Sequence, residues 1–225
     1  MNPNFEAAIE RLYAAFARPT PAAVEGCPCC TTEEELRVLV ETPLRELTAD
    51  QLGWYGSKAL TTVGNAEDFR YFWPRLVELA ARGDLRADRE VVFSKSRRAG
   101  WRSWPVEEQT ATEHFAAVLL EDFSETEYDE WELDSWVCAL GRLLEDLPPW
   151  LAPLLRDTPA AASNLAGLYS LNEPKLARGR LANPFWRDEP EAAAAVAAWL
   201  RSDEVAAALA RFHASQDDTS ANPSG

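Results

Sequence analysis

Histidine is almost missing from this chain. Two histidines stand among 225 residues, so general-base catalysis by imidazole has few candidates. The strings that mark familiar catalytic sites are missing as well. There is no glycine-rich phosphate loop, no Gly-x-Ser-x-Gly elbow and no His-Glu-x-x-His. Glu107, Glu108 and Glu113 share a segment with His114. The Glu-x-x-His pair of di-metal carboxylate bundles would need a glutamate at position 111, where Ala111 stands. No known enzyme mechanism is supported. Long apolar runs are lacking too. The most apolar later stretch, Ala192 to Leu200, is nine residues long, and a bilayer span needs roughly 20. No apolar run follows a basic start, so no signal peptide is expected, and a cytoplasmic location is. Positive charge is the last shortage: 22 Lys and Arg face 37 Asp and Glu, a formal charge of -15. Such a surface repels phosphate backbones and anionic membranes, which removes both as default partners and favours a basic protein partner.

What is present is helix-forming. Hydrophobic residues make up 47% of the chain, enough to build a core, and nine tryptophans imply aromatic packing. Phe5, Ile9, Leu12, Tyr13 and Phe16 recur at three- and four-residue spacing and predict a first helix over 4–18, with Asn4 as its cap and Pro19 and Pro21 as its stop. Capping-box pairs mark the next starts: Thr31 with Glu34, then Thr48 with Gln51. The second of these helices is predicted to run to Val63. Gly64 closes it and Asn65 opens the next at once. Phe69, Phe72, Trp73, Leu76 and Ala80 form the stripe of that fourth helix, with a kink expected at Pro74. Residues 87–98 read equally well as strand or buried helical turn. Further helices are predicted from Trp104-Pro105 to Phe123, over 131–147, 150–156 and 160–169, and finally over 190–201 and 203–215 with Ser202 between them. Residues 171–188 read as irregular. No internal period is visible. The expected fold is therefore all-α, an irregular array of antiparallel helical hairpins, solenoid-like or an orthogonal bundle. A main domain is expected over 1–158, a C-terminal helical cap over 159–215 and a disordered tail over 216–225.

Three local features carry chemistry. The first is the loop Gly26-Cys27-Pro28-Cys29-Cys30, which holds three of the four cysteines. Cys27 and Cys30 have the spacing that lets two thiolates reach one metal, zinc first among the candidates. The loop also precedes a helix start, where backbone N–H groups favour a thiolate. Metal binding and a redox pair are both open, and so is simple burial of small apolar side chains. A closed zinc site takes four ligands, and Cys138, His114 and His213 are remote in sequence.

The second feature is a polar hairpin. Lys58, Thr61, Thr62, Asp68 and Arg70, with Asn65 and Arg75, surround the turn at Gly64. They make either a small polar pocket or a set of helix caps with solvated charge. The third is the segment 121–134, in which eight of 14 residues are acidic. Asp122, Glu125, Glu127, Asp129 and Glu130 alternate with Tyr128 and Trp131, a surface able to steer and then grip a basic partner. Its alternative is a solvated connection between helices. Opposite charge gathers at 82–102, where seven of the 22 basic residues lie, and internal pairing with the acidic segment is expected.

The strings Gly26-Cys27-Pro28-Cys29-Cys30, PLRELTADQL (43–52) and KALTTVGNAEDFRYFWPRL (58–76) resemble an uncharacterised family of bacterial helical proteins, over about the first half of the chain. The resemblance implies a helical fold and brings no activity, cofactor or catalytic residue. The leading functional expectation is an interaction or inhibitory, immunity-type module for a basic partner. The alternative is a metal- or thiol-dependent protein using Cys27, Cys29 and Cys30.

Overall fold

The computed structural model describes residues 3–221, with side chains over residues 4–214. Among the described residues the protein is all-α: ten α-helices and four 3-10 helices, with two isolated bridges and no strand. No helix among them is long and apolar enough to cross a membrane. The chain divides into two compact units, Met1–Ala116 and Ala117–Gly225.

The first unit contains α1 (Pro3–Ala15), α2 (Glu33–Glu41), α3 (Ala49–Lys58), α4 (Ala66–Ala81), α5 (Arg89–Arg98) and most of α6 (Val106–Asp122). α1 begins at Pro3, so Asn4 lies inside the helix and does not cap it; a proline in the first turn suits a helix start because its missing N–H is not needed there. The predicted stripe Phe5, Ile9, Leu12 and Phe16 is buried, and α1 packs on α4. α4 runs unbroken through Pro74 and is the central element. Its Trp73 is fully buried and meets Phe93 and Trp104 at ring centroid distances of 5.2 and 6.1 Å. The Trp73 indole N–H donates to Thr112 Oγ1 at 3.2 Å, so this large ring is buried without orphaning its donor. The ambiguous segment 87–98 is helix α5.

The second unit contains the end of α6, then α7 (Glu130–Leu143), α8 (Pro159–Leu176), α9 (Pro190–Leu200) and α10 (Asp203–Ala221). The stripe Leu133, Trp136, Val137, Leu140 and Leu144 is buried as predicted, and α7 packs on α8. α8 continues seven residues beyond Tyr169, where an irregular segment was expected. The buried Asn172 stabilises this extension. Its amide donates to Asp134 Oδ1 at 2.9 Å, and its carbonyl accepts Ala182 N–H at 2.7 Å. Ser202 caps α10 through Val205 N–H, as expected. α10 runs to Ala221, past the expected helix end at 215, and the expected tail, 216–225, lies wholly outside the residues whose side chains are described.

Candidate metal centre

The cysteine loop is built by long-range backbone pairing. Gly26 and Val63 form an antiparallel bridge. Cys27 N–H donates to Thr62 carbonyl at 2.8 Å, and Gly64 N–H donates to Glu25 carbonyl at 2.7 Å. These bonds clamp the strand-like approach to the cysteines against the turn after α3. Within the loop, Cys30 N–H and Thr31 N–H both donate to Cys27 carbonyl, and Thr31 Oγ1 donates to the same oxygen. Thr31 is thus consumed by the loop. The cap of α2 falls one residue later than the sequence suggested, on Thr32 paired with Glu35.

The clamp also explains why α3 ends at Lys58 and not at Val63. Residues 60–63 turn back on themselves: Leu60 sits at φ 60°, a left-handed conformation unusual for a residue with a Cβ, and its N–H donates to Val63 carbonyl. Gly64 at φ 64° completes the reversal before Asn65 caps α4. The ammonium of Lys58 leaves the α3 terminus and donates to Cys30 carbonyl at 2.7 Å. It lies 5.5 Å from the centre of the Trp54 ring. The cysteine loop and the polar hairpin, separate features in the sequence, are one structure.

The outcome is a cluster of three sulfurs. Cys27 Sγ lies 2.9 Å from Cys29 Sγ, which lies 3.4 Å from Cys30 Sγ, and all three fall within 4.8 Å of one another. Cys29 and Cys30 are exposed and Cys27 is half-buried; none is in a disulfide. Hydrogen bonds from the Cys29 thiol and from the Cys29 and Cys30 amides hold the Cys27 thiol below the usual thiol range. Sharing with Cys27 and Cys30 pushes Cys29 up to about 11. One sulfur is therefore the favoured thiolate, and its neighbours act as donors. Tetrahedral metal–thiolate bonds of about 2.3 Å place sulfurs roughly 3.8 Å apart, within the span this cluster already occupies. Among the described residues the cluster consists of these three sulfurs alone. His114 does not join it, and Cys138 is fully buried in α7 of the other unit.

The remaining hairpin residues divide between support and other duties. Thr61 Oγ1 donates to Lys58 carbonyl at 2.6 Å and helps finish α3. The Thr62 hydroxyl is buried without a partner among the described residues. Asp68 accepts Asn65 N–H in the capping box at the start of α4, and burial raises its pKa. Arg70 turns away and grips the buried Glu108 with two bonds of 2.5 and 2.7 Å. Arg75 likewise bonds Leu47 carbonyl and Glu78.

The acidic segment is largely occupied by its own unit. Asp122 is buried and accepts the Tyr128 hydroxyl at 2.7 Å. Asp129 caps α7 by accepting Trp131 N–H and Glu132 N–H. Glu121 pairs with Arg156. Asn164 carries the turn between α6 and α7: it accepts Tyr128 N–H and donates to the carbonyls of Phe123 and Thr126, each at 2.8 Å. What faces solvent is a smaller patch, in which Trp131 is 61% exposed beside the exposed Glu127, Asp129 and Glu130, with Glu125 also at the surface.

Compared with known protein families, curated proteins and solved structures, the chain matches none of them.

Proposed function

We propose that the protein binds one thiophilic cation, zinc first among the candidates, through Cys27, Cys29 and Cys30. The observation that carries this reading is the convergence of three accessible sulfurs on a loop whose backbone is held on both sides. A buried structural cysteine behaves differently: it packs, as Cys138 does, and leaves no ligand atom in solvent. Three thiolates satisfy most of a soft d10 cation and leave its fourth position for water or an exchangeable ligand, which suits a site that transfers, senses or activates better than one that only staples the fold. The Lys58 bond to Cys30 carbonyl supplies a cation near a site that becomes more anionic as thiols ionise.

Cobalt substitution tests the reading. One equivalent of Co(II) should produce sulfur-to-metal charge-transfer bands whose intensity corresponds to three thiolates. Cys27→Ser, Cys29→Ser and Cys30→Ser should each remove about a third of that intensity and weaken zinc at least tenfold, in line with one lost metal–thiolate bond. Protein that takes up no zinc or cobalt while its thiols titrate normally would overturn the proposal.

A second reading rests on the exposed Trp131 indole. Trp131 is the one large apolar ring so exposed among the described residues, and carboxylates beside an aromatic anchor suit a basic protein partner. The internal duties of Asp122, Asp129 and Tyr128 shrink this surface, which is why it ranks second. A basic protein that co-purifies with the native chain should be lost on Trp131→Ala and on joint reversal of Glu127 and Glu130 to lysine. Retention by both variants would remove this reading.

A further inference from the structure

The stretch 175–187, from the last turn of α8 into the connection to α9, inverts the charge of the chain. Lys175, Arg178, Arg180 and Arg187 fall within thirteen residues that contain no acid, in a protein of formal charge -15. All four line one cavity of about 500 Å³, a size that suits a small organic ligand. Elsewhere arginines find carboxylates, as Arg45 does with Glu10, Arg86 with Asp50 and Arg102 with Glu113. The side chains of Arg178, Arg180 and Arg187 make no ion pair or hydrogen bond among the described residues.

The wall of this cavity is firmly built. Asn172 holds Ala182 N–H, and Lys175 Nζ donates to Ala182 carbonyl at 3.1 Å. The buried Arg142 donates to Phe185 carbonyl at 3.1 Å and pairs with Asp188 at 3.2 Å. Trp186 is 4% exposed and its benzo edge presses on α7 at Gly141, where an added Cβ would come within 2.5 Å of the ring. The Trp186 indole N–H is buried with no acceptor. Pro190 and Ala193 bring the first turn of α9 to the same cavity, and that helix start has no side-chain cap. Its positive dipole end adds to the four cations.

We propose that this cavity binds a small phosphorylated molecule. Guanidinium groups present planar paired donors that match phosphate oxygens, and three exposed ones stand here on a backbone held by the bonds just described. The negative charge over the rest of the chain opposes an extended polyanion such as nucleic acid, so the ligand is small. The site lies in the second unit and is independent of the cysteine cluster.

Calorimetric titration with pyrophosphate at low ionic strength tests this. One site with a Kd below about 1 mM is expected. Joint Arg178→Ser and Arg180→Ser substitution, and separately Arg187→Ser, should each weaken it at least tenfold with circular dichroism and melting unchanged. Arg37→Ser, at an exposed arginine paired with Glu41, should leave it intact and serves as the charge control. No binding, affinity preserved in the cavity variants, or equal weakening by Arg37→Ser would each overturn the assignment. Citrate binding as tight as pyrophosphate, with the same loss in the variants, would overturn the phosphate preference and leave a polycarboxylate site.

Discussion

Single side chains set the chemistry of this molecule. The Cys27 thiol is favoured as thiolate and Cys29 is disfavoured, so the three sulfurs should not react alike. Mass-mapped alkylation at pH 7 should label Cys27 first and Cys29 last, and metal uptake should weaken as pH falls and protons compete for Cys27. Uniform labelling of all three would contradict the hydrogen-bond order described. Glu78 makes a second residue-level case. It is buried, accepts the Tyr13 hydroxyl at 2.6 Å and pairs with Arg75 and Arg82. Burial alone would raise its pKa, but these three partners prevail and hold it below the usual carboxylate range. Its stabilising effect is therefore complete above the unfolded-state pKa and is lost as pH falls through the lower folded value. Glu78→Gln should cost about 2 kcal/mol at pH 7 and flatten the acid limb of stability, measured by urea unfolding between pH 3 and 7.

At the level of elements, two turns depend on groups far away in sequence. Asn164→Ala would strip one acceptor and two donor bonds from the turn between α6 and α7, at a cost of about 2 to 3 kcal/mol in urea unfolding. Gly64→Ala would strain a left-handed residue and bring a methyl within 3.3 Å of Asp68 and the Tyr55 hydroxyl. A loss of about 1 to 2 kcal/mol is expected, with zinc affinity falling in parallel because the same turn clamps the cysteine loop. Periodicity made the buried stripes of α1, α4 and α7 readable, and short-range capping chemistry placed Thr48, Asn65 and Ser202. The errors share one physical origin. Thr31 failed as a cap because Cys27 carbonyl claims its hydroxyl, and α3 stopped early because residues 60–64 pair with 25–27. α8 ran on because Asn172 reaches Asp134 and Ala182. Backbone and amide bonds between remote segments leave no local pattern to read. The cysteine spacing was legible; the Lys58 bond that joins it to the hairpin was not. The cations at 175–187 are visible in the sequence, but the turn formers among them read as an irregular connection.

Across the whole molecule, the cysteine loop stands outside the aromatic core of the first unit, so metal removal should leave far-ultraviolet circular dichroism unchanged. Metal binding should still be felt as stability. A cation at one hundred times its Kd contributes about 2.7 kcal/mol to the native state. For a chain of this length that corresponds to roughly 5 to 10 °C in the melting of the transition that includes the first unit. A calorimetric scan with and without zinc would check it, and an unmoved melting curve at saturating zinc would contradict a site held by the folded chain.

The contact between Gly141 and Trp186 offers a way to act on the second unit from behind. Alanine at 141 adds no charge and touches no cation, yet it would wedge the indole outward and shift the cavity wall above it. Ligand geometry would thereby be perturbed while the electrostatic field stayed as it was, separating fit from attraction by a single methyl group.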